Sequence, residues 1–182
     1  MTGVRMQLDQ DAALKELAGY VERARNPRGM FENIGMSLVT STQRRFELGK
    51  GPDGNPWPPS IRALATGGKT LIESARLMRS ITFNASATGL ELGSNVIYAA
   101  IHQLGGIIRQ AARTAVLHFK TNKRTGQSRF SKPGKADRAQ KAQIGARVIH
   151  MPARPFIGLD DDDNREILRI AEDWIVGEGA TP

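Results

Sequence analysis

Three histidines could bind a metal or move a proton, because imidazole is suited to both. His102, His118 and His150 are far apart in the sequence, and none lies in the HxxxH or HExxH spacing that puts two ligands on one helix face. His118 and His150 lie in segments whose alternation is typical of β-strands. The spacing therefore favours partly buried or edge-strand histidines over a metal site.

Four consecutive aspartates, Asp160 to Asp163, offer the hard oxygen ligands that Ca²⁺ and Mg²⁺ prefer. The run lacks the spaced ligands and central glycine of an EF-hand loop. An apolar helical pattern follows it, and carboxylates at a helix N-terminus interact favourably with the helix dipole. We interpret the run as a helix start and a solvated acidic patch.

Other enzymatic patterns are also missing from the sequence. The glycine-rich residues 49–54 contain no GxxxxGK[ST] and follow no predicted strand, so they do not predict a phosphate loop. Spacing reveals no arrangement of nucleophile, base and orienting residue. Without cysteine the chain has no thiolate ligand and no disulfide. We therefore predict a protein that is not an enzyme, with no cofactor and no metal.

The strongest chemical feature is a basic segment from Arg109 to Arg147. It holds eleven lysines and arginines against one acid, Asp137, and so carries +10 of a total charge of +8, which leaves −2 for the rest of the chain. Such a segment could bind phosphates, or it could contact an acidic protein surface. The cations assigned to this partner-binding or DNA-binding loop are Lys120, Lys123, Arg124, Arg129, Lys132, Lys135, Arg138 and Lys141.

Helical patterns dominate the first and last parts of the chain. Asp9 is a candidate N-cap for a helix that reaches about Arg23, and Asn26-Pro27 begins a second helix that Gly49 ends. Gln43, Arg44 and Arg45 are interpreted as solvated. Residues 49–68 form a loop rich in glycine and proline, and short helices are predicted over residues 69–78 and 96–104. A C-terminal helix through Trp174 follows the aspartate run.

Alternating segments predict two β-hairpins. The first joins residues 81–85 to 89–93, and the second joins residues 114–119 to 144–151 across a long mobile basic loop. The fold class is therefore α+β: one small, mainly antiparallel sheet packed with a long N-terminal helix and a C-terminal helix. We expect residues 1–182 to be one domain with a flexible basic insert at about 120–143.

No stretch approaches the roughly 18 apolar residues of a membrane span, and residues 1–10 lack the apolar core of a signal peptide. We expect no membrane partner, and synthesis and assembly in the cytoplasm.

Four segments together resemble the phage virion morphogenesis (tail completion) proteins of Mu-like and related phages. They are Gly51-Pro-Asp-Gly-Asn-Pro-Trp-Pro-Pro, Leu71-Ile-Glu-Ser-Ala-Arg-Leu-Met-Arg-Ser-Ile, Val96-Ile-Tyr-Ala-Ala-Ile-His-Gln-Leu-Gly-Gly and Met151-Pro-Ala-Arg-Pro-Phe-Ile-Gly-Leu. The resemblance covers roughly residues 5–176. One departure is Glu73-Ser-Ala, where the family more often has Thr-Gly before the next Leu.

The resemblance implies a structural virion protein, with no catalytic residues, that forms a ring at the head–tail junction. Its implied partners are further copies of itself in a hexamer and neighbouring neck, tail tube or head-closure proteins, with nonspecific contact to packaged DNA. The alternative is a nonspecific DNA-binding protein that acts through the basic insert. The residues assigned to a subunit or partner interface are Trp57, Tyr98, His102, Gln103, Arg154 and Phe156.

Overall fold

A computed structural model describes residues 10–177 of the chain. They form two compact units: residues 10–104 with 152–177 (unit 1), and residues 105–151 (unit 2). The elements of unit 1 are α1 (Asp11–Arg25), α2 (Arg28–Leu48), α3 (Ile61–Thr66), α4 (Arg76–Arg79), β1 (Ile81–Ala85), β2 (Leu90–Ser94), α5 (Ala99–Leu104) and α6 (Asp161–Val176). Those of unit 2 are β3 (Gly106–Gln110), β4 (Arg113–Thr121), β5 (Ser128–Phe130), a short 3-10 helix (Pro133–Lys135), β6 (Arg138–Ile144) and β7 (Arg147–Met151).

Helix α2 is the longest helix of unit 1, and both of its ends follow from the sequence. Asn26-Pro27 immediately precedes its first residue. Gly49 ends it at φ +70°, a left-handed conformation that glycine adopts without steric cost. The predicted helix that ends at Gly49 is confirmed, although Pro27 and not Asn26 lies at its N-cap position. The first predicted helix corresponds to α1, while its proposed cap Asp9 lies outside the described residues.

Two apolar clusters hold unit 1 together. Phe46 and Phe156 are fully buried in the larger one, with ring centroids 5.1 Å apart. Phe46 and Trp57 pack edge to face, with ring centroids 5.4 Å apart. The smaller cluster contains Ile34 and Leu38 of α2 and Ile170 of α6. Since α2 contributes to both clusters, it links the C-terminal helix to the rest of the unit.

The first predicted hairpin is confirmed as β1 and β2, which pair antiparallel with Ile81 opposite Ser94 and Phe83 opposite Leu92. Gly35 of α2 lies so close to this hairpin that a Cβ built on it would be 2.4 Å from the Phe83 ring. Glycine at this position therefore lets α2 lie close against the hairpin.

Three local predictions in unit 1 need correction. The predicted loop 49–68 contains the short helix α3, which Ser60 caps by accepting a hydrogen bond from the Ala63 N–H at 3.1 Å. The helix predicted over 69–78 is reduced to the single turn α4, because Leu71 and Ala75 have φ of +61° and +58°, which a right-handed helix excludes. The helix predicted from Val96 begins only at Ala99.

Unit 2 consists of two antiparallel sheets. In one, β3 pairs with β7, with Gly106 opposite Met151. In the other, β4 lies between β5 and β6, with Phe119 opposite both Phe130 and Arg138. All strand pairs of the described residues are antiparallel, so the α+β class with antiparallel pairing is confirmed.

The pairing predicted for the second hairpin is wrong. Residues 114–119 lie in β4, which pairs with β6, whereas most of the predicted strand 144–151 forms β7 and pairs with β3. Gly145-Ala146 separates β6 from β7, and β3 was not predicted. The strands therefore form three small sheets in place of the single sheet that the sequence predicted: β1–β2, β3–β7 and β5–β4–β6. The segment predicted as a loop contains β5, the 3-10 helix and most of β6, while its mobility stays a prediction.

Candidate assembly surfaces

The segment from Pro152 to Leu159 leads into α6, and the side chains of Trp57 and Gln103 fix it by hydrogen bonds to its backbone. Trp57 Nε1 donates to the Pro155 carbonyl at 2.9 Å. Gln103 Oε1 accepts from the Phe156 and Ile157 N–H groups at 2.9 and 3.0 Å, and Gln103 Nε2 donates to the Ile157 carbonyl at 2.8 Å. Prolines favour this extended backbone, which forms no helix or sheet ladder of its own. These side chains therefore supply its hydrogen-bond partners.

Arg154 connects this segment to two further elements. Its guanidinium Nε donates to the Pro58 carbonyl at 2.7 Å, and its backbone N–H donates to the His102 carbonyl at 2.7 Å. The residue is buried, and burial lowers the pKa of its guanidinium. Arg154 thus positions the proline-rich loop before α3 relative to α5.

His102 lies beside Arg154 in this arrangement. Burial lowers the pKa of His102, and the positive charge of Arg154 lowers it further. Its ring packs edge-on to Tyr98 with centroids 5.9 Å apart, and its buried Nδ1 has no hydrogen-bond partner among the described residues. At neutral pH the imidazole of His102 is consequently favoured in its neutral form in the folded protein.

A buried arginine that the sequence interpretation missed links α2 to α6. Arg45 is 3% exposed and donates to the Gly158 carbonyl at 2.7 Å, to Asp160 at 3.0 Å and to Asp163. The prediction that Arg45 is solvated is therefore wrong. Its position one heptad after the buried Leu38 places it on the inward stripe of α2, which could have indicated burial.

The aspartate run begins α6 as predicted. Asp160 accepts from the Asp163 N–H at 2.9 Å, and Asp163 accepts from the Asp160 N–H at 3.1 Å, which forms a reciprocal capping box. Burial alone would raise the pKa of Asp160, but its hydrogen bond from Asp163 and the Arg45 guanidinium hold that pKa below its usual range. The prediction of a solvated acidic patch is wrong for Asp163, which is buried and accepts a hydrogen bond from Arg45.

The six residues predicted for an interface fall into two groups. Trp57, Arg154 and Phe156 are buried inside unit 1, where their side chains stabilise the protomer. Tyr98 is exposed, and His102 and Gln103 are half-buried. The structure brings all six around the Pro152–Leu159 segment and α5. In this conformation Trp57, Arg154 and Phe156 could influence an interface only by supporting the residues at the surface, because they are buried. A direct contact with a neighbour stays a prediction for Tyr98, His102 and Gln103.

Helix α1 exposes the apolar stripe that its sequence predicted. Leu14, Leu17 and Val21 are each at least half exposed, and no residue of α1 is buried. The C-terminal end of α1 is anchored to α6: Arg23 Nε donates to the Ile175 carbonyl at 2.8 Å, and Trp174 Nε1 donates to the Arg23 carbonyl at 3.2 Å. The helix is therefore held in place while its apolar side remains uncovered.

A second group of exposed apolar side chains lies on α3, α5 and the turn before α5. They are Ile61 at 88%, Leu64 at 71%, Ile97 at 97% and Leu104 at 77% exposure. The hydrogen bonds of Arg154 connect the proline-rich loop before α3 to α5. Exposed apolar groups of this kind are typical of protein–protein contact surfaces.

The predicted basic residues all lie in unit 2 and are all exposed. Lys120, Arg129, Arg138 and Lys141 are on strands, whereas Lys123 and Arg124 are in the turn between β4 and β5. Lys132 and Lys135 flank or belong to the 3-10 helix.

Within residues 10–177, no group of three or more His, Cys, Asp or Glu side chains is placed to hold a metal ion. None of the helices described in these residues has the length and apolar character to cross a membrane.

These features define a small α+β protein whose notable surfaces are apolar and cationic. The chain belongs to the phage virion morphogenesis family, whose profile matches residues 8–176. It is similar to the Mu-like prophage FluMu G protein 2 of Haemophilus influenzae, with 26% identity over 145 residues, which are 80% of this chain and 75% of that protein. No solved structure matches. The resemblance seen in the sequence is confirmed, and the protein is a virion-associated protein with a structural role in virion assembly.

Proposed function

We propose that this protein is a subunit of a ring at the head–tail junction, a tail completion, terminator or neck protein that is needed to join the tail to the capsid. Membership of the phage virion morphogenesis family over nearly the whole chain is the observation that carries the proposal. The protein acts by binding, without catalysis. Its site of action is the neck of the virion, after assembly in the host cytoplasm.

A ring requires that one patch of each subunit meet a different patch of the next, which is a heterologous contact. Unit 1 offers two separate apolar surfaces for this purpose. One is the α1 stripe of Leu14, Leu17 and Val21, and the other is the surface around α3 and α5. Burying either against a neighbour would remove apolar area from water, which favours association by about 25 cal/mol per Å² before the entropic costs of binding.

We further propose that the ring lies on the tail side of the neck and has six-fold symmetry, which would match a six-fold tail tube. The remaining partners are then the adjacent neck, tail tube or head-closure proteins. Tyr98, His102 and Gln103, at the surface above Arg154 and Phe156, are the proposed contacts to a neighbour.

The proposal can be tested in a phage or induced prophage whose copy of this gene is deleted. Electron micrographs of the lysate should show filled or empty heads without tails, together with free tails. Wild-type protein supplied from a plasmid should restore joined particles. Normal virions in the deletion lysate would refute the proposed role.

A matched pair of variants connects that role to the α1 surface. Changing Leu14, Leu17 and Val21 together to Ser should abolish restoration, because the apolar stripe is lost while no buried residue changes. Changing Glu16 to Ser alters an exposed residue on the opposite face of the same helix and should restore joining like the wild type. Equal restoration by both variants would remove α1 from the proposed interface.

A further inference from the structure

Unit 2 has no hydrophobic interior of its own. No residue from 105 to 151 is buried, and all eleven lysines and arginines of this unit are exposed. Strand pairing organises these residues into two sheets. Small sheets without a packed face are marginal in isolation, so a unit of this kind gains stability when a partner covers it.

The lysines and arginines of unit 2 form no ion pairs with carboxylates of the same unit. Its one acid, Asp137, accepts hydrogen bonds from the Thr121 N–H at 2.8 Å and the Thr121 hydroxyl at 3.3 Å. Across residues 10–177, every carboxylate within 4.0 Å of a lysine or arginine belongs to a pair outside this unit. The eleven cations therefore face solvent without ion pairs among the described residues.

Strand register gathers three of these cations on one face of the β4–β5–β6 sheet, here called the basic face. Lys120 is directly opposite Arg129, and Lys141 is directly opposite Val116. Because side chains alternate between faces, Val116, His118 and Lys120 of β4 share this face with Arg129 and Lys141. Like charges directly opposite each other destabilise a strand pair, and a bound anion would offset that cost.

The aromatic residues of the same sheet lie on the other face. Phe119 and Phe130 stack with centroids 5.1 Å apart, and the Arg138 guanidinium lies 5.5 Å from the Phe119 ring centroid. The basic face thus has cations but no Phe, Tyr or Trp on which unpaired bases could stack. That composition suits the sugar–phosphate backbone of a duplex better than single-stranded nucleic acid.

The dimensions of the basic face also suit a duplex. Lys120 and Val116, the partner of Lys141, are four residues apart on β4, or roughly 13 Å along the strand at about 3.4 Å per residue. A duplex carries one negative charge per about 1.7 Å of its axis, so cations separated by this distance can contact separate phosphates.

We propose that the basic face of unit 2, formed by Lys120, Arg129 and Lys141, binds the phosphate backbone of duplex DNA without reading its sequence. This inference is independent of the proposed ring. In a neck protein the same surface would contact the DNA that passes between head and tail.

The test is fluorescence anisotropy of the purified full-length protein with two labelled duplexes of unrelated sequence, measured at several salt concentrations. The wild type should bind both duplexes equally and lose affinity as salt rises. Changing Lys120, Arg129 and Lys141 together to Ser should weaken binding at least about tenfold. It should also reduce the slope of log K against log salt by roughly 2 to 3, because each phosphate contact contributes about 0.9.

The matched control removes the same charge from unit 1. Changing the exposed Arg25, Arg44 and Arg79 together to Ser should leave DNA affinity and the salt slope close to those of the wild type. Equal losses in both triple variants would overturn the proposal, since binding would then follow net charge and not this face.

A gain-of-binding variant keeps the test independent of folding defects. Ala139 is exposed on the basic face opposite His118, and Ala139→Lys should tighten binding to both duplexes and steepen the salt slope by about 1. Unchanged or weaker binding by this variant would contradict the proposal. Poly-glutamate at the same salt is the protein-like competitor, and tighter binding to it than to DNA would overturn the inference in favour of an acidic protein partner.

Discussion

Arg45 joins α2 to the start of α6 through a buried network of hydrogen bonds. Its side chain is buried and joins the Gly158 carbonyl, the helix cap Asp160 and the buried Asp163. A buried carboxylate that loses its cation retains the cost of desolvation without the compensating attraction. The network therefore fixes the approach of the C-terminal helix rather than offering a charge to a ligand.

We expect Arg45→Met to lower the free energy of unfolding by about 3 kcal/mol or more, because Asp163 is left buried without its cation. Urea unfolding followed by circular dichroism measures the change. The neighbouring Arg44 is exposed, and Arg44→Met should change the free energy of unfolding by no more than about 0.5 kcal/mol. Similar small effects in both variants would contradict the structural role of Arg45.

His102 makes the stability of unit 1 depend on pH. Burial and Arg154 lower its folded pKa below the ordinary value of 6.5, so the unfolded chain binds the proton more tightly. Its stabilising contribution is therefore present above pH 6.5 and is lost as pH falls through the folded pKa. The wild type should lose more thermal stability between about pH 8 and pH 5.5 than His102→Gln. An NMR titration that gives His102 a folded pKa of 6.5 or higher would contradict this.

At the scale of elements, the sequence predicted what local patterns determine. Helix α2, the β1–β2 hairpin and the capped start of α6 each have a turn or cap residue and a regular apolar period within one short segment. The partners of β4 and β7 could not be predicted in the same way. Each pairs with a strand many residues away, and the break at Gly145-Ala146 resembles an ordinary position within a strand.

The six residues predicted for an interface show a similar limit. Their proximity around Pro152–Leu159 agrees with the joint presence of their motifs in the sequence, but spacing does not reveal burial. Trp57 and Phe156 proved to be core residues because the proline-rich loop and the segment before α6 enclose Phe46 together. The sequence places Arg154 in a proline-rich motif. It does not reveal that the carbonyl groups to which Arg154 donates are those of Pro58 and His102, because both lie far away in the chain.

The turn before α4 contains a strained residue whose replacement should stabilise the fold. Ala75 has φ +58°, a conformation that costs a residue with a Cβ roughly 1–2 kcal/mol. Ala75→Gly should raise the free energy of unfolding by about 1 kcal/mol. Ala24→Gly, inside the ordinary helix α1, should instead lower it by about 0.5–1 kcal/mol. Destabilisation by Ala75→Gly would count against the described turn.

At the scale of the whole molecule, the two units differ in what holds them together. Unit 1 encloses Phe46, Trp57 and Phe156, whereas no residue of unit 2 is buried. Backbone amides in a sheet without a packed face open more readily than those of a core helix. Hydrogen–deuterium exchange should therefore label β4, β5 and β6 well before the central turns of α2. Equal protection of both regions would show that unit 2 is covered in the free protein and would contradict its description as an unsupported unit.

The central claim is that copies of this chain associate through two different surfaces into a closed ring. Electron microscopy of the purified full-length protein, with class averages over a range of concentrations, tests it most directly. We expect closed rings with six-fold symmetry, and the loss of those rings when Leu14, Leu17 and Val21 are changed together to Ser. A protein that stays monomeric at every concentration, or that forms only two-fold dimers, would contradict it.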